Sequence, residues 1–165
     1  FIVYDGFRSL QVQQFLFSQF SVQIKKQYPT LSEQQVKQET LKYVAFPSLN
    51  REHPAPHLTG GAIDLTIGDL KGNALNLGTA FDEMNEKSAT RYYEENAKEN
   101  KEARGFRRML YNSMTAVGFM NYSKEWWHYD FGNISWARRT GTEKAIYGAI
   151  EGEIQNNQLK GYRFI

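Results

Sequence analysis

The sequence contains no cysteine. Disulfide frameworks, thiolate nucleophiles and cysteine-based zinc sites are therefore excluded, and any metal site must use histidines and carboxylates. A chain without thiols suits the cytosol and the periplasm equally, so the compartment stays open. Net charge is also scarce. Twenty Lys and Arg against 18 Asp and Glu leave +2. No basic block appears, so nothing argues for a nucleic-acid partner or an anionic membrane surface. No apolar run approaches the ~18–20 residues of a membrane span. The chain opens Phe1-Ile2-Val3-Tyr4, with no Met and no basic leader, and reads as a processed or trimmed chain.

What is abundant is aromatic: 11 Phe, 10 Tyr and 3 Trp among 165 residues. That richness excludes disorder. The length corresponds to one domain at ~150 residues each, long enough to bury a core without a staple.

The apolar run Phe1–Tyr4, stopped by Asp5-Gly6, predicts a buried strand. Leu10, Phe17, Phe20 and Ile24 recur with helical spacing, so a helix is expected from Ser9 to about Gln27, capped by Ser9 and ended by Pro29. Ser32 and Gln35 form a capping-box spacing that opens a second helix to about Tyr43. Pro47–Pro56 reads as a loop. A glycine pair, Gly60-Gly61, feeds the β-branched strand Ala62–Ile67. Gly68–Thr79 reads as a hairpin or loop, and Phe81–Lys87 is ambiguous. A long polar helix is expected from about Glu94 to Val117, with Gly105 as a weak point. Phe119–Tyr122 and Trp126–Phe131 predict two strands joined at Ser123-Lys124. Thr142–Ile150 suggests a short helix, and Gly152–Ile165 carries little signal. Strands interspersed irregularly with helices indicate one α+β domain.

Three histidines are present: His53, His57 and His128. A bend at Gly60-Gly61 can bring the His57 imidazole and the Asp64 carboxylate to one point, since glycine adopts positive φ without steric cost. Glu125 stands three residues before His128. In a regular strand those positions face opposite sides, so Glu125 must precede the strand, at a bend, if both serve one site. Together these residues offer two imidazoles, one ligating carboxylate and one spare carboxylate, the inventory of a catalytic zinc site. Each pattern alone is weak, and composition leaves a set of ordinary core residues as an equal alternative. His53, in a polar loop, reads as solvated. Arg8 reads either as a surface arginine closing a turn or, with the site nearby, as a guanidinium that stabilises a developing oxyanion. Asp82 reads as a cap for a helix starting near Glu83. Trp126 and Trp127 read as packing, and Glu94, Glu95, Lys98, Glu99, Lys101 and Glu102 as a solvated helix face.

His57-Leu-Thr-Gly-Gly-Ala-Ile-Asp64 resembles the signature Ser-x-His-x-x-Gly-x-Ala-x-Asp, and Glu125-Trp-Trp-His128 resembles its Glu-x-x-His partner. These signatures belong to the D-alanyl-D-alanine dipeptidases of the VanX type, within the LAS zinc peptidases. Tyr4–Arg8, Gly78–Met84 and Val117–Phe119 resemble further blocks of that family, in its order, from residue 1 to about 133. The sequence departs from the pattern at Ala55, where the signature has serine, and at Ser9, where it has proline. The family's N-terminal segment has no counterpart in the sequence, and no family motif follows about residue 134.

The resemblance implies an α+β fold with helices packed on a central antiparallel sheet, shared with the hedgehog signalling domain and zinc D,D-carboxypeptidases. It implies one Zn²⁺ per chain, held by His57, Asp64 and His128. Glu125 would be the general base, Arg8 would contact the substrate carbonyl and oxyanion, and Asp82 would lie near the substrate amino group. The expected activity is zinc-dependent hydrolysis of D-alanyl-D-alanine or a related small D,D-dipeptide; peptidoglycan recycling, nutrient use and vancomycin resistance would all employ that chemistry. Two alternatives stand beside it: a zinc D,D-carboxypeptidase or cell-wall endopeptidase on longer peptides, and a non-catalytic zinc-stabilised binding module. The oligomeric state is left open.

Overall fold

Alternation along two short strands sets the architecture. The computed structural model describes residues 1–48, 50–83, 85–156 and 158–165. Strand β1 (Ile2–Asp5), β2 (Ala62–Thr66), β3 (Met120–Asn121) and β4 (His128–Asp130) form an antiparallel sheet in the order β1-β2-β4-β3. Successive residues of a strand face opposite sides. Ile63 and Leu65 of β2 and Tyr129 of β4 point to one face, where they join Ile67, Leu77, Trp126 and Trp127 in the main core. Ala62 and Asp64 of β2, paired with Asp130 and His128 of β4, point to the other.

Helix α1 (Leu10–Gln27) starts at Ser9, whose hydroxyl accepts from Val12 N, as expected. Helix α2 (Glu33–Thr40) opens with the full Ser32–Gln35 capping box and ends three residues before the expected limit, in turns. Helices α3 (Tyr92–Glu95) and α4 (Lys101–Ala116) follow, and α4 supplies Leu110 and Met114 to the main core. Helix α5 (Ile134–Thr140) precedes a hairpin of β5 (Ile150–Gln155) and β6 (Gln158–Phe164), a separate two-stranded sheet.

Several expectations are corrected. The strand at residues 1–4 is not buried: it is the sheet's edge, with Phe1 and Val3 73% and 58% exposed. The long helix from Glu94 to Val117 is broken. The Asn96 side chain donates to Tyr92 O, and the Asn100 side chain accepts from Ala103 N, so two asparagines end one helix and cap the next. No helix starts at Glu83, and Asp82 caps none among the described residues; it sits in a turn at φ +57°. Met84, which ends the Gly78–Met84 block, lies outside the described residues, as does Leu49 of the Pro47–Pro56 loop. Residues 142–149 are not helical. The helix there is α5, bracketed by the Asn133 cap and by Gly141 in the left-handed conformation.

Candidate metal centre

Sheet register brings the first residues together. Asp5 of β1 lies opposite Asp64 of β2, and Asp64 lies opposite His128 of β4, one row across three strands. His57 arrives from a 3-10 turn, Pro56–Thr59, that Gly60 ends at φ +69°. Gly61 then passes so close to β4's exit that a Cβ would lie 2.7 Å from the Phe131 carbonyl oxygen. Both glycines of the pair are thus required, one for its conformation and one for the approach.

One donor atom from each of His57, Asp64 and His128 lies within 4.8 Å of the others, and all three residues are buried. His57 Nε2 is 3.2 Å from Asp64 Oδ2, His128 Nδ1 is 3.0 Å from Asp64 Oδ1, and the two nitrogens are 3.3 Å apart. The outer nitrogens fix the tautomers. His57 Nδ1 lies 2.7 Å from the Gly6 carbonyl, which can only accept, so Nδ1–H donates and Nε2 turns its lone pair inward. His128 Nε2 lies 3.2 Å from Asp130 Oδ1 and donates likewise, so Nδ1 faces inward. Two lone pairs and a carboxylate facing one another repel unless a cation or a proton lies among them. The outer bonds to Gly6 and Asp130 are the orienting contacts typical of metal-binding imidazoles. Asn133 Nδ2 donates to both Asp130 Oδ1 and the Gly61 carbonyl, tying that support to the glycine pair.

Without a cation, a proton takes this position. Burial disfavours the His128 imidazolium, but Asp130 and Asp64 outweigh it and raise its pKa to about 10. Burial raises the Asp64 carboxyl, yet its bonds to His128 and His57 hold it well below the usual carboxylate range.

Glu125 precedes β4 at a turn, its N–H donating to Tyr122 O, which is the bend that sequence spacing demanded. Its carboxylate Oε2 stands 4.0 Å from His128 Nδ1, beside the three-donor cluster and outside it. Burial pushes its pKa up to about 7, against the pull of His128. Arg8 is held from two sides. Its Nε and Nη2 donate to Asp5 Oδ2 at 2.9 and 2.7 Å, and its Nη1 donates to Gln13 Oε1 at 2.8 Å. Nη2 then lies 3.8 Å from Asp64 Oδ2. Asp82 faces the same cavity and forms no ion pair among the described residues; burial and the Asp64 charge raise its pKa.

The cavity has a volume of about 430 Å³, and its walls also include residues of α1, the 41–45 turn, Tyr122 and Arg139. His53 is exposed and contacts Arg138, away from the centre. Trp126 and Trp127 are core residues, 2% and 1% exposed, and Trp127 also reaches the cavity wall. Ala55 packs against Leu58 and Ala149. Sequence reasoning missed Asp130, Asn133 and Gln13. Asp130 was within reach, because a carboxylate two residues after a strand histidine shares its face. Gln13, buried in α1, gave no such signal.

The family model described as D-Ala-D-Ala dipeptidase matches residues 1–144. A D-alanyl-D-alanine dipeptidase of Synechocystis sp. is 29% identical over 91% of this chain and 69% of its own length. The Enterococcus faecalis enzyme of that name is 35% identical over 64% of this chain and 46% of its own. The Escherichia coli one is 42% identical over 45% and 36%. The chain thus spans less than half the length of two of these three relatives. Among solved structures, VanYB in complex with D-alanine-D-alanine aligns over 87% of this chain and 71% of its own, at 21% identity and a TM-score of 0.45. Another VanY structure, in complex with Zn(II), covers 88% and 68% at 19% identity and a TM-score of 0.41. With the match running over residues 1–144 of 165, the chain belongs to the D-alanyl-D-alanine dipeptidase family of zinc peptidases.

Proposed function

We propose that this chain is one catalytic domain that hydrolyses D-alanyl-D-alanine or a closely related D,D-dipeptide, with His57, Asp64 and His128 holding one zinc ion. The donor set fits: two neutral imidazoles and one carboxylate leave a bound zinc with a net charge near +1. Zinc bound there supplies a Lewis acid and an acidified water.

The chain's own groups do the rest. Glu125, displaced from the donors and partly protonated near neutrality, accepts a proton at its carboxylate during attack on the scissile carbonyl and returns it to the leaving amine. Arg8, fixed by Asp5 and Gln13 before substrate arrives, offers its guanidinium to the developing oxyanion. Such a preorganised donor is worth ~2.7–4 kcal/mol. A binding module has no use for a spare carboxylate beside the metal.

Asp82 is the observation that carries the dipeptidase reading. It is a carboxylate without a counter-ion among the described residues, in the same cavity and at positive φ, where a non-glycine residue is strained. A free substrate ammonium complements that charge. An acylated amine does not, and leaves the carboxylate desolvated and unpaired. The length of the cavity along α1 favours the second reading, a carboxypeptidase on longer peptides.

Zinc-loaded protein assayed on free and N-acetylated D-Ala-D-Ala separates the two. Free dipeptide should be cleaved and its acetylated form spared, with Asp82→Asn narrowing the difference. Equal cleavage of both forms transfers the assignment to the carboxypeptidase. Stoichiometric zinc with no hydrolysis of either leaves the binding module.

A further inference from the structure

A second cleft, of about 370 Å³, opens between α4, α3 with the residues before it, and the 121–123 segment. It shares no lining residue with the metal-centre cavity. Its wall includes Arg107, which is only 3% exposed. Arg107 Nε donates to Leu77 O at 2.7 Å and Nη1 donates to Ala89 O at 2.8 Å. Its guanidinium lies 4.6 Å from the Tyr93 ring centre. Among the described residues, buried Nη2 has no hydrogen-bond partner and no carboxylate forms an ion pair with Arg107. A buried guanidinium is normally paired, because its desolvation is otherwise uncompensated.

The surroundings repeat the imbalance. Arg91, on the same cleft, forms no ion pair among the described residues. Arg108 binds Glu94 through Nε and Nη2, each at 2.6 Å, which leaves its Nη1 free. Three arginines against one glutamate leave two positive charges. Ser123 and Asn112 line the cleft with side chains that have no hydrogen-bond partner among the described residues.

We propose that this cleft binds a phosphoryl oxyanion, as inorganic phosphate or as a phosphate monoester. Donors stand on three segments of chain around the cleft. A tetrahedral dianion accepts from several directions and matches two positive charges; a carboxylate presents only two oxygens in one plane. The site adjoins the turn that carries Glu125, since Thr90 in its wall places its hydroxyl 2.6 Å from Asn121 Oδ1 and 3.2 Å from the Glu125 carbonyl.

Calorimetric titration tests it, using protein carrying one zinc and no free zinc, at constant ionic strength in chloride. The probes are inorganic phosphate, glycerol 3-phosphate and acetate. One saturable event is expected for the phosphate compounds and none for acetate. Whichever phosphate compound binds more tightly identifies the source, free ion or monoester. Asn112→Glu, at an exposed helix position that leaves the fold intact, should weaken binding about tenfold or more, as expected for replacing a donor to a charged group by a like charge. Glu94→Gln removes the cleft's one carboxylate and should tighten binding several-fold. Absence of saturable phosphate binding, equal binding of acetate, or unchanged affinity in Asn112→Glu each overturns the proposal; the last places the ion at the metal centre or elsewhere.

Discussion

The two faces of β2 and β4 are made by alternating residues of the same two short strands and serve opposite ends. Ile63, Leu65 and Tyr129 turn toward α4 and the tryptophans, where burial of apolar area is the whole contribution. Asp64, His128 and Asp130 turn the other way, where each bonds another polar group of the centre. A strand position therefore sets which of two kinds of damage a substitution causes. Changes on the core face should cost stability first, and changes on the site face should cost metal and turnover first. The centre is completed from outside the sheet by His57 and Glu125, both on turns, and a rigid sheet is what lets two turn residues meet it reproducibly.

The sharpest separation of the faces comes from Glu125→Gln. In the proposed mechanism it removes the base, while the three-donor cluster stays whole. Turnover should fall ~10²–10⁴-fold, while zinc content and thermal unfolding stay at parental values. Parental turnover in this variant would overturn the mechanism. Arg8→Lys should lower kcat/KM with zinc retained, because a point charge cannot occupy the fork that Asp5 and Gln13 fix.

The second test asks how far the site face extends past the donors. Asp130→Asn leaves all three donors in place but weakens the group that orients His128, and zinc affinity should drop ~10–100-fold by competition with a chelator. Acid acts on the same contact. Burial lowers the pKa of His128, but Asp130 and Asp64 together raise it to about 10, so at neutral pH the metal must displace a proton. Apparent affinity should therefore fall as pH falls, by about tenfold per unit for one displaced proton. An affinity flat across neutral pH would mean that His128 carries no proton there before the metal binds.

Much of this contrast was legible in the sequence, and its boundary is physical. The His57–Asp64 and Glu125–His128 spacings, the glycine pair and the Ser9 and Ser32 caps are local signals, each fixed by backbone geometry within a few residues. The resemblance added roles for Arg8 and Asp82. What stayed hidden depends on contacts distant in sequence. Gln13 reaches Arg8 and the Ala45 carbonyl only because α1 packs beside the 41–45 turn. The β5–β6 hairpin alternates weakly, with mostly exposed residues on both sides, so its period was faint. The break between α3 and α4 lost to a helix-like charge pattern, because the two asparagines that cause it act through side-chain bonds.

The smallest effect tests the core face on its own terms. Tyr129 is fully buried, and its hydroxyl has no hydrogen-bond partner among the described residues. An unpaired buried hydroxyl loses its water without recompense, whereas an apolar group of the same shape loses nothing. Burial accordingly holds the phenol's pKa well above its ordinary value. Tyr129→Phe keeps the ring and removes only the oxygen. It should leave stability unchanged or raise it by about 1 kcal/mol, and leave zinc content and kcat/KM as they were, although Tyr129 sits directly between His128 and Asp130. Denaturant unfolding alongside a zinc assay reads both at once. A loss of zinc would show that the faces are coupled through β4, and a loss of stability that the hydroxyl is bonded in solution.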